Sequence, residues 1–287
     1  MFNKRHIVRT IAATVSILAL SSTAACGSGQ STASNSTDSD DITQQTYKPG
    51  KLTIATGQPA YEPWVMNDKP ESGEGYEAAV AYAVADKLGF KKSDVVWTRT
   101  AFDTAIAPGA KDWDFNIQQF GITDERKKAV DFSSSYYNDS QSVVVKKDSK
   151  FANATKVSDL KDATVGVMVG TLAYDYAKAN IKDDIQTFND DAALAQALDA
   201  GQIDALVTST VECVYMVQSE QVKDAKVLGR LPDSEDKSGM GIVLPKDSKL
   251  TAAVTKAVDD LNADGTIKKL QDKWLAEYTT DLTELKK

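Results

Sequence analysis

The 287-residue chain reads as an α/β protein of two hinge-linked lobes, each with a mostly parallel sheet. Three observations predict this. Short apolar or β-branched runs alternate with stretches of helical periodicity, the pattern of a sheet covered by helices. Two extended runs, Val143 to Lys147 and Gly241 to Pro245, bracket a further series of strands and helices, as two crossings between lobes would. The length, with 42% hydrophobic and 26% charged residues, supplies two cores rather than one.

Residues 1–25 stand apart from this fold. Lys4, Arg5 and Arg9 precede an apolar stretch from Ile11 to Leu20 that is too short to span a bilayer, which is the form of an export signal. Ser22 to Cys26, STAAC, fits a lipoprotein processing site with Cys26 as the acylated first residue of the mature chain; the alternative is an ordinary cleavage site with an incidental cysteine. Residues 26–50 are rich in Ser, Thr, Asp and Gln, have almost nothing to bury, and read as a flexible tether. Removing 1–25 takes away three basic side chains and no acidic one, so the formal charge moves from −8 to −11. That balance argues against nucleic acid as a partner. The single histidine, His6, lies in the export signal, so Ser-His, Cys-His and His-metal chemistry are excluded from the mature chain, and no metal or cofactor is expected. Cys213 is the only other thiol, which rules out an internal disulfide framework.

Lobe 1 is expected over 51–143 plus 240–287, and lobe 2 over 146–238. KLTIAT, 51–56, alternates as a strand does and runs into a turn-rich loop carrying Tyr61, Glu62 and Trp64, either the edge of a ligand site or part of the lobe core. Tyr76, Ala79, Val80, Ala83, Val84 and Leu88 recur at helical spacing, and Gly89 can close that helix. Asp94 to Thr98 reads as a strand, and a helix opening at Phe102 stops early at Pro108-Gly109. A short strand from Asp114 to Gln118 leads through Gln119 to a helix start, with Thr123 as N-cap and Asp124 and Glu125 in the first turn. Arg126 falls in that turn, where free N–H groups and the guanidinium fork together suit a carboxylate.

In lobe 2, ATVGVMVG, DDIQTF, IDALVT and AKVLG are expected strands, with a helix over Ala192 to Asp199. Gly170-Thr171-Leu172 follows a strand and precedes a helix, so its N–H groups face the cleft. Two amphipathic helices, Leu250 to Leu261 and Ile267 to Trp274, separated at Gly265, return to lobe 1.

Several blocks, GYEAAVAYAVADKLGF (75–90), FDTAI (102–106), ITDERKKAVDFSSSYY (122–137), VGVMVGTLAYDYAKANI (165–181), AGQIDALV (200–207) and GIVLPKDS (241–248), resemble in order and spacing the family 3 extracellular solute-binding proteins of ABC importers. The resemblance covers 51–278 and implies a type II periplasmic-binding-protein-like fold. It also implies a lipid-anchored monomer on the extracellular face of a bacterial cell membrane, which delivers an amino acid or related carboxylate to membrane permease subunits. It places Arg126 on the ligand's α-carboxylate, with Tyr61 and Phe102 as aromatic jaws and Glu62 and Trp64 close by; Gln119, Thr171 and Leu172 join the expected site from their positions at the strand ends alone. There are departures. Gly121 stands where the family often has a Thr hydroxyl, and Met168 where some relatives have a basic residue, which points to a neutral or weakly polar ligand side chain. Ser209 stands where relatives place the Asp that holds the ligand's ammonium. Either Glu212, three residues on, replaces that carboxylate, or Glu212 is a solvated or structural acid, or the solute carries no ammonium. Outside solute capture, a cyclohexadienyl dehydratase-like enzyme using Glu62 or Glu212 as an acid is the alternative, followed by a secreted sensor or adhesin.

Overall fold

The computed structural model describes residues 41–279 and 282–287; the export signal and Cys26 lie outside them. The first sheet comprises β1 (Leu52–Thr56), β2 (Val95–Arg99), β3 (Phe115–Asn116) and β4 (Val130–Tyr137). The second holds β5 (Gln141–Lys146), β6 (Val165–Met168), β7 (Gln186–Phe188), β8 (Ala205–Ser209) and β9 (Ala225–Arg230), after which β10 (Met240–Pro245) returns to the first. The strand orders are β2-β1-β3-β10-β4 and β7-β6-β8-β5-β9. In each sheet the first three strands pair in parallel and the last two antiparallel, so the lobes repeat one topology with no detectable sequence repeat.

Side-chain alternation explains the second lobe. Val143 and Val145 of β5 pack on the face that also holds Val165, Val167 and Val207, while Val144 points to the opposite face with Leu194, Leu198, Leu206, Cys213 and Met216. A sheet buried on both faces needs apolar residues at successive positions, hence the unbroken β-branched run. The helices α3 (Leu172–Asn180), α4 (Asp191–Asp199) and α5 (Thr210–Gln218) cover it. In the first lobe, α1 (Tyr76–Lys87), α6 (Thr251–Ala263) and α7 (Thr266–Trp274) bury their apolar stripes around Leu52, Ile54 and Phe115, and the short α2 (Phe102–Ile106) flanks the sheet. Cys213 is fully buried, as a small apolar residue would be.

Three expectations change, and one strand is added. The runs 143–147 and 241–245 are sheet strands; the crossings are the segments beside them, 138–140 and 231–239, joined by Asp236 N–H donating to Asp139 O at 2.9 Å. Residues 130–137, whose serines obscure the pattern, form the longest strand of the first sheet. Residues 41–50 are not all tether: Asp41 caps a 3-10 turn, Ile42–Gln44, Thr46 is buried, and Tyr47 N–H donates to Asp114 at 2.6 Å. Finally, 282–287 leave lobe 1. Arg230 N–H donates to Thr283 O and Leu285 N–H to Arg230 O, each at 2.9 Å, while Lys286 bonds Thr155 and Val157, so the tail adds to the second lobe with Leu285 in its core. Gly229 allows this approach, because a Cβ there would lie 2.5 Å from Thr283 O.

Candidate functional site

A cavity of about 240 Å³ lies between the lobes, room for one small solute. Its walls are the segments that follow the parallel strands: 57–61 after β1, Ala101 and Phe102 after β2, Gln118 to Gly121 after β3, Met168 to Ala173 at β6, Asn189 to Asp191 after β7, and Thr208 to Glu212 at β8. The carboxyl ends of parallel strands are where open α/β sheets leave a crevice, and the helices that follow aim their N-termini into it. Three helices of the second lobe, α3, α4 and α5, begin there, capped by Thr171, Asp190 and Ser209 in turn.

Arg126 joins the two walls. Its Nη1 donates to Gly121 O at 2.7 Å in lobe 1 and its Nη2 to Gly170 O at 2.9 Å in lobe 2, and the guanidinium stands 5.5 Å from the Phe102 ring centroid. The expected helix is only a single 3-10 turn, Arg126–Lys128, because β4 starts at Val130; Thr123 Oγ1 nonetheless accepts from Arg126 N–H at 3.1 Å. A guanidinium carries five N–H donors, so two carbonyl bonds leave three for a ligand. Burial pulls its pKa down, opposed by Asp175 and Asp236. Gly121 has a steric reason: a Cβ would sit 2.5 Å from Leu172 Cδ1 and 2.9 Å from Asp236 Oδ2. Asp236 therefore occupies the side-chain space that a threonine would need.

Tyr61, Phe102, Gln119, Gly121, Arg126, Met168, Thr171, Leu172, Ser209 and Glu212 all border the cavity. Two of the expected residues do not. Trp64 is wholly buried in the lobe-1 core, edge-on to Tyr137, and reaches the site only indirectly, donating from Nε1 to Glu212 Oε1 at 2.7 Å. Glu62 accepts from Asn67 N–H at 2.9 Å and from the Tyr215 hydroxyl at 3.3 Å, away from the cavity. The Thr171 hydroxyl is occupied as a cap, accepting from Tyr174 N–H and donating to Met168 O. Phe102 stacks on Phe120 with centroids 4.6 Å apart. Gln119 adopts a left-handed backbone, φ 49°, held by Glu77, which accepts from its N–H at 2.7 Å and from its Nε2.

Glu212 is 4% exposed, so it is not a solvated acid. Burial, and then the neighbouring Asp191, hold its carboxyl well above the usual range. The residues that spacing did not reveal are mostly acidic. Asp139, Asp190, Asp191 and Asp236 share the lining with Glu212, against Arg126 as the only cationic side chain there among the described residues. Asp139 and Asp191 are each pushed up to about 6, chiefly by burial. Asp139 Oδ1 accepts from Ser140 N–H at 2.7 Å. Asp236 Oδ2 and Gln118 Oε1 have no protein hydrogen-bond partner, whereas the start of α5, Ser209 to Val211, turns donors toward Asp139 and Ala192 N–H is turned toward the Tyr61 hydroxyl. Asp190 and Asp191 were legible in principle, since NDDAAL has the same strand-to-helix form as Gly170-Thr171-Leu172. Asp139 and Asp236 were not, because only the two crossings bring them together.

Residues 52–277 match the family described as bacterial extracellular solute-binding proteins, family 3. The L-arginine-binding protein of Pseudomonas aeruginosa is 29% identical over 80% of this chain and 88% of its own length. The L-cystine-binding protein TcyJ of Escherichia coli K12 is 30% identical over 77% and 81%. The solved structure of an ancestral arginine-binding protein bound to arginine superposes with a TM-score of 0.66 at 31% identity, over 78% of this chain and 98% of that one.

Proposed function

As the chain belongs to the bacterial extracellular solute-binding proteins, family 3, we propose that it captures an amino acid by closure of its two lobes and delivers it to ABC permease subunits in the membrane. The observation that carries this reading is Arg126, set between the lobes with donors to spare and facing walls lined with carboxylates. Arg126 takes the solute's α-carboxylate, and the α-ammonium goes to Glu212 and Asp139, which compensate for the serine at position 209. A buried ammonium needs such a partner, because it loses its hydration on closure. The names of the relatives, binding proteins for arginine and cystine, support capture rather than catalysis. The STAAC string and the polar stretch after it support acylation at Cys26, a monomer tethered to the extracellular face of the cell membrane, and export by residues 1–25.

Mass spectrometry of the solute that co-purifies with the protein, followed by calorimetry with that solute, tests the reading. Losing one partner of a desolvated, bidentate ion pair costs about 2 to 5 kcal/mol, so Arg126→Ala is expected to weaken binding at least tenfold, and Arg126→Lys not to restore it. Wild-type affinity in Arg126→Ala, or equal binding of the desamino analogue, would refute it. Acyl labelling that persists in Cys26→Ser would refute the anchor.

A further inference from the structure

Glu77 does not line the cavity, yet it holds a residue that does. It is wholly buried in the first turn of α1, with no cation among the groups that act on its carboxyl. Its Oε1 accepts from Gln119 N–H at 2.7 Å and from the Tyr136 hydroxyl, and its Oε2 accepts from Gln119 Nε2. Tyr136 is itself fixed, since its carbonyl accepts from the Tyr76 hydroxyl at 2.6 Å. A buried acid without a counterion costs free energy that a neutral side chain would spare. A second cost lies beside it, because Gln119 is left-handed at φ 49°, where a non-glycine residue is strained. The two meet in one contact, in which a single carboxylate holds both the backbone and the side chain of Gln119.

The chain on either side of Gln119 is tied to its surroundings by backbone bonds. Ile117 N–H donates to Ala55 O at 3.1 Å, Gly241 N–H to Phe120 O at 3.0 Å and Ile122 N–H to Gly239 O at 2.9 Å. Gln119 lies between these ties, two residues before Gly121, whose carbonyl accepts from Arg126. An ionised carboxylate only accepts, so the end of the Gln119 amide that meets Glu77 is its nitrogen. The amide oxygen is left with no donor among the described residues, on a side chain that borders the cavity. A protonated Glu77 donates instead, which lets the amide turn over and offer its nitrogen.

We propose that Glu77 is a positioning residue of the site: by gripping Gln119 it sets the turn after β3 and makes the Gln119 amide present its oxygen to an N–H donor of the solute. The inference rests on the amino acid reading given above and names a residue that shapes that site without touching the solute. Burial lifts the Glu77 carboxyl to about 7, against the lowering effect of Tyr136 and Gln119. The titratable groups that face it are Tyr76 on its own helix, Tyr136 on β4 and, across the cleft, Glu212 on α5, each raised chiefly by burial. The two tyrosines therefore stay neutral where Glu77 changes charge.

The full-length protein, stripped of solute by unfolding and refolding, is compared with Glu77→Gln, Gln119→Gly and the double variant. Glu77→Gln keeps an acceptor for Tyr136 and Gln119 N–H but sets an amide nitrogen against Gln119 Nε2, so the Gln119 amide has to turn over. Gln119→Gly keeps the left-handed turn and removes the amide. In proton–nitrogen correlation spectra without solute, the side-chain amide peaks lost in Gln119→Gly are those of Gln119. They are expected to move in Glu77→Gln, and in wild type to titrate with a midpoint near 7, a titration that Glu77→Gln abolishes. Calorimetry with the common L-amino acids and L-cystine gives the second readout. For whichever binds wild type, each single variant is expected to weaken binding about tenfold, and the double variant no further than Gln119→Gly, because the amide through which Glu77 acts is already gone. Amide peaks that neither move nor titrate, or losses that multiply in the double variant, would overturn the positioning role and leave amino acid capture standing. If no amino acid binds wild type, the amino acid reading falls and the amide peaks alone decide the role of Glu77. Should Glu77→Gln fail to fold, the wild-type titration and Gln119→Gly decide.

Discussion

At the scale of single residues, Glu212 is a buried acid whose charge the fold disfavours and to which the proposed reading gives the solute's ammonium. It is buried among other acids and receives one strong donor, the Trp64 indole, whose ring is packed in the opposite lobe. Glu212→Gln keeps an acceptor for that indole and removes the charge that burial and Asp191 disfavour. Ligand-free Glu212→Gln is therefore expected to melt no lower than wild type, while binding its solute at least tenfold more weakly because an ammonium partner is gone. Parallel thermal melts and calorimetry separate the two effects; a variant that melts lower and binds normally contradicts the assignment. Gly121→Ala tests the closed cleft differently. Its Cβ would enter the space of Leu172 Cδ1, which belongs to the other lobe, so weaker binding with near-normal unfolding is expected, measured by the same two methods.

At the scale of elements, the C-terminal tail has a job that its sequence conceals. Residues 282–287 pair with Arg230 and Thr155 and put Leu285 into the second core, although the preceding helix α7 belongs to the first. The chain thus connects the lobes a third time. Leu285→Ala is expected to cost about 2 to 5 kcal/mol, the range for a large-to-small core change, if the tail is integral to lobe 2. Denaturant unfolding measures this, and a change below about 0.5 kcal/mol would show that the tail contributes only surface contact.

At the scale of the whole molecule, the cavity carboxylates set an unusual pH dependence. Asp139 and Asp191 have folded-state values near 6, above their unfolded values, and Glu212 is raised well above its usual range. They face one another, Asp190 and, through space, Glu77, with Arg126 and Asp236 also at the cavity. Between the unfolded and folded values the native state binds more protons than the unfolded chain, so these groups make stability fall as pH rises from about 4 to about 6. The surface acids with lowered values, such as Asp94, Asp159 and Asp199, lose their contribution only at still lower pH. Ligand-free protein is expected to melt at a higher temperature at pH 5 than at pH 7. Saturating solute, by supplying positive charge, should flatten that trend and release protons on binding below pH 6. Calorimetry in buffers of different ionisation enthalpy counts those protons, and a solute that releases none would contradict the picture.

The alternation of residues determined by itself that this is an α/β chain with two cores, because a strand buried on both faces and a helix buried on one leave different local periodicities. Local chemistry likewise marked the turn at Arg126 and the mouth of α3 at Thr171, but it was the family resemblance, not the local signal, that gave Arg126 a ligand to hold. Tertiary structure alone decided which acids share the cavity: Asp139, Asp190, Asp191, Glu212 and Asp236 come from two crossings and two helix starts, far apart in the chain. It also separated Trp64, which is core, from Tyr61, which is cavity wall, three residues apart on one loop. The reason is that burial and charge coupling depend on distance through space, and neither leaves a period in the sequence.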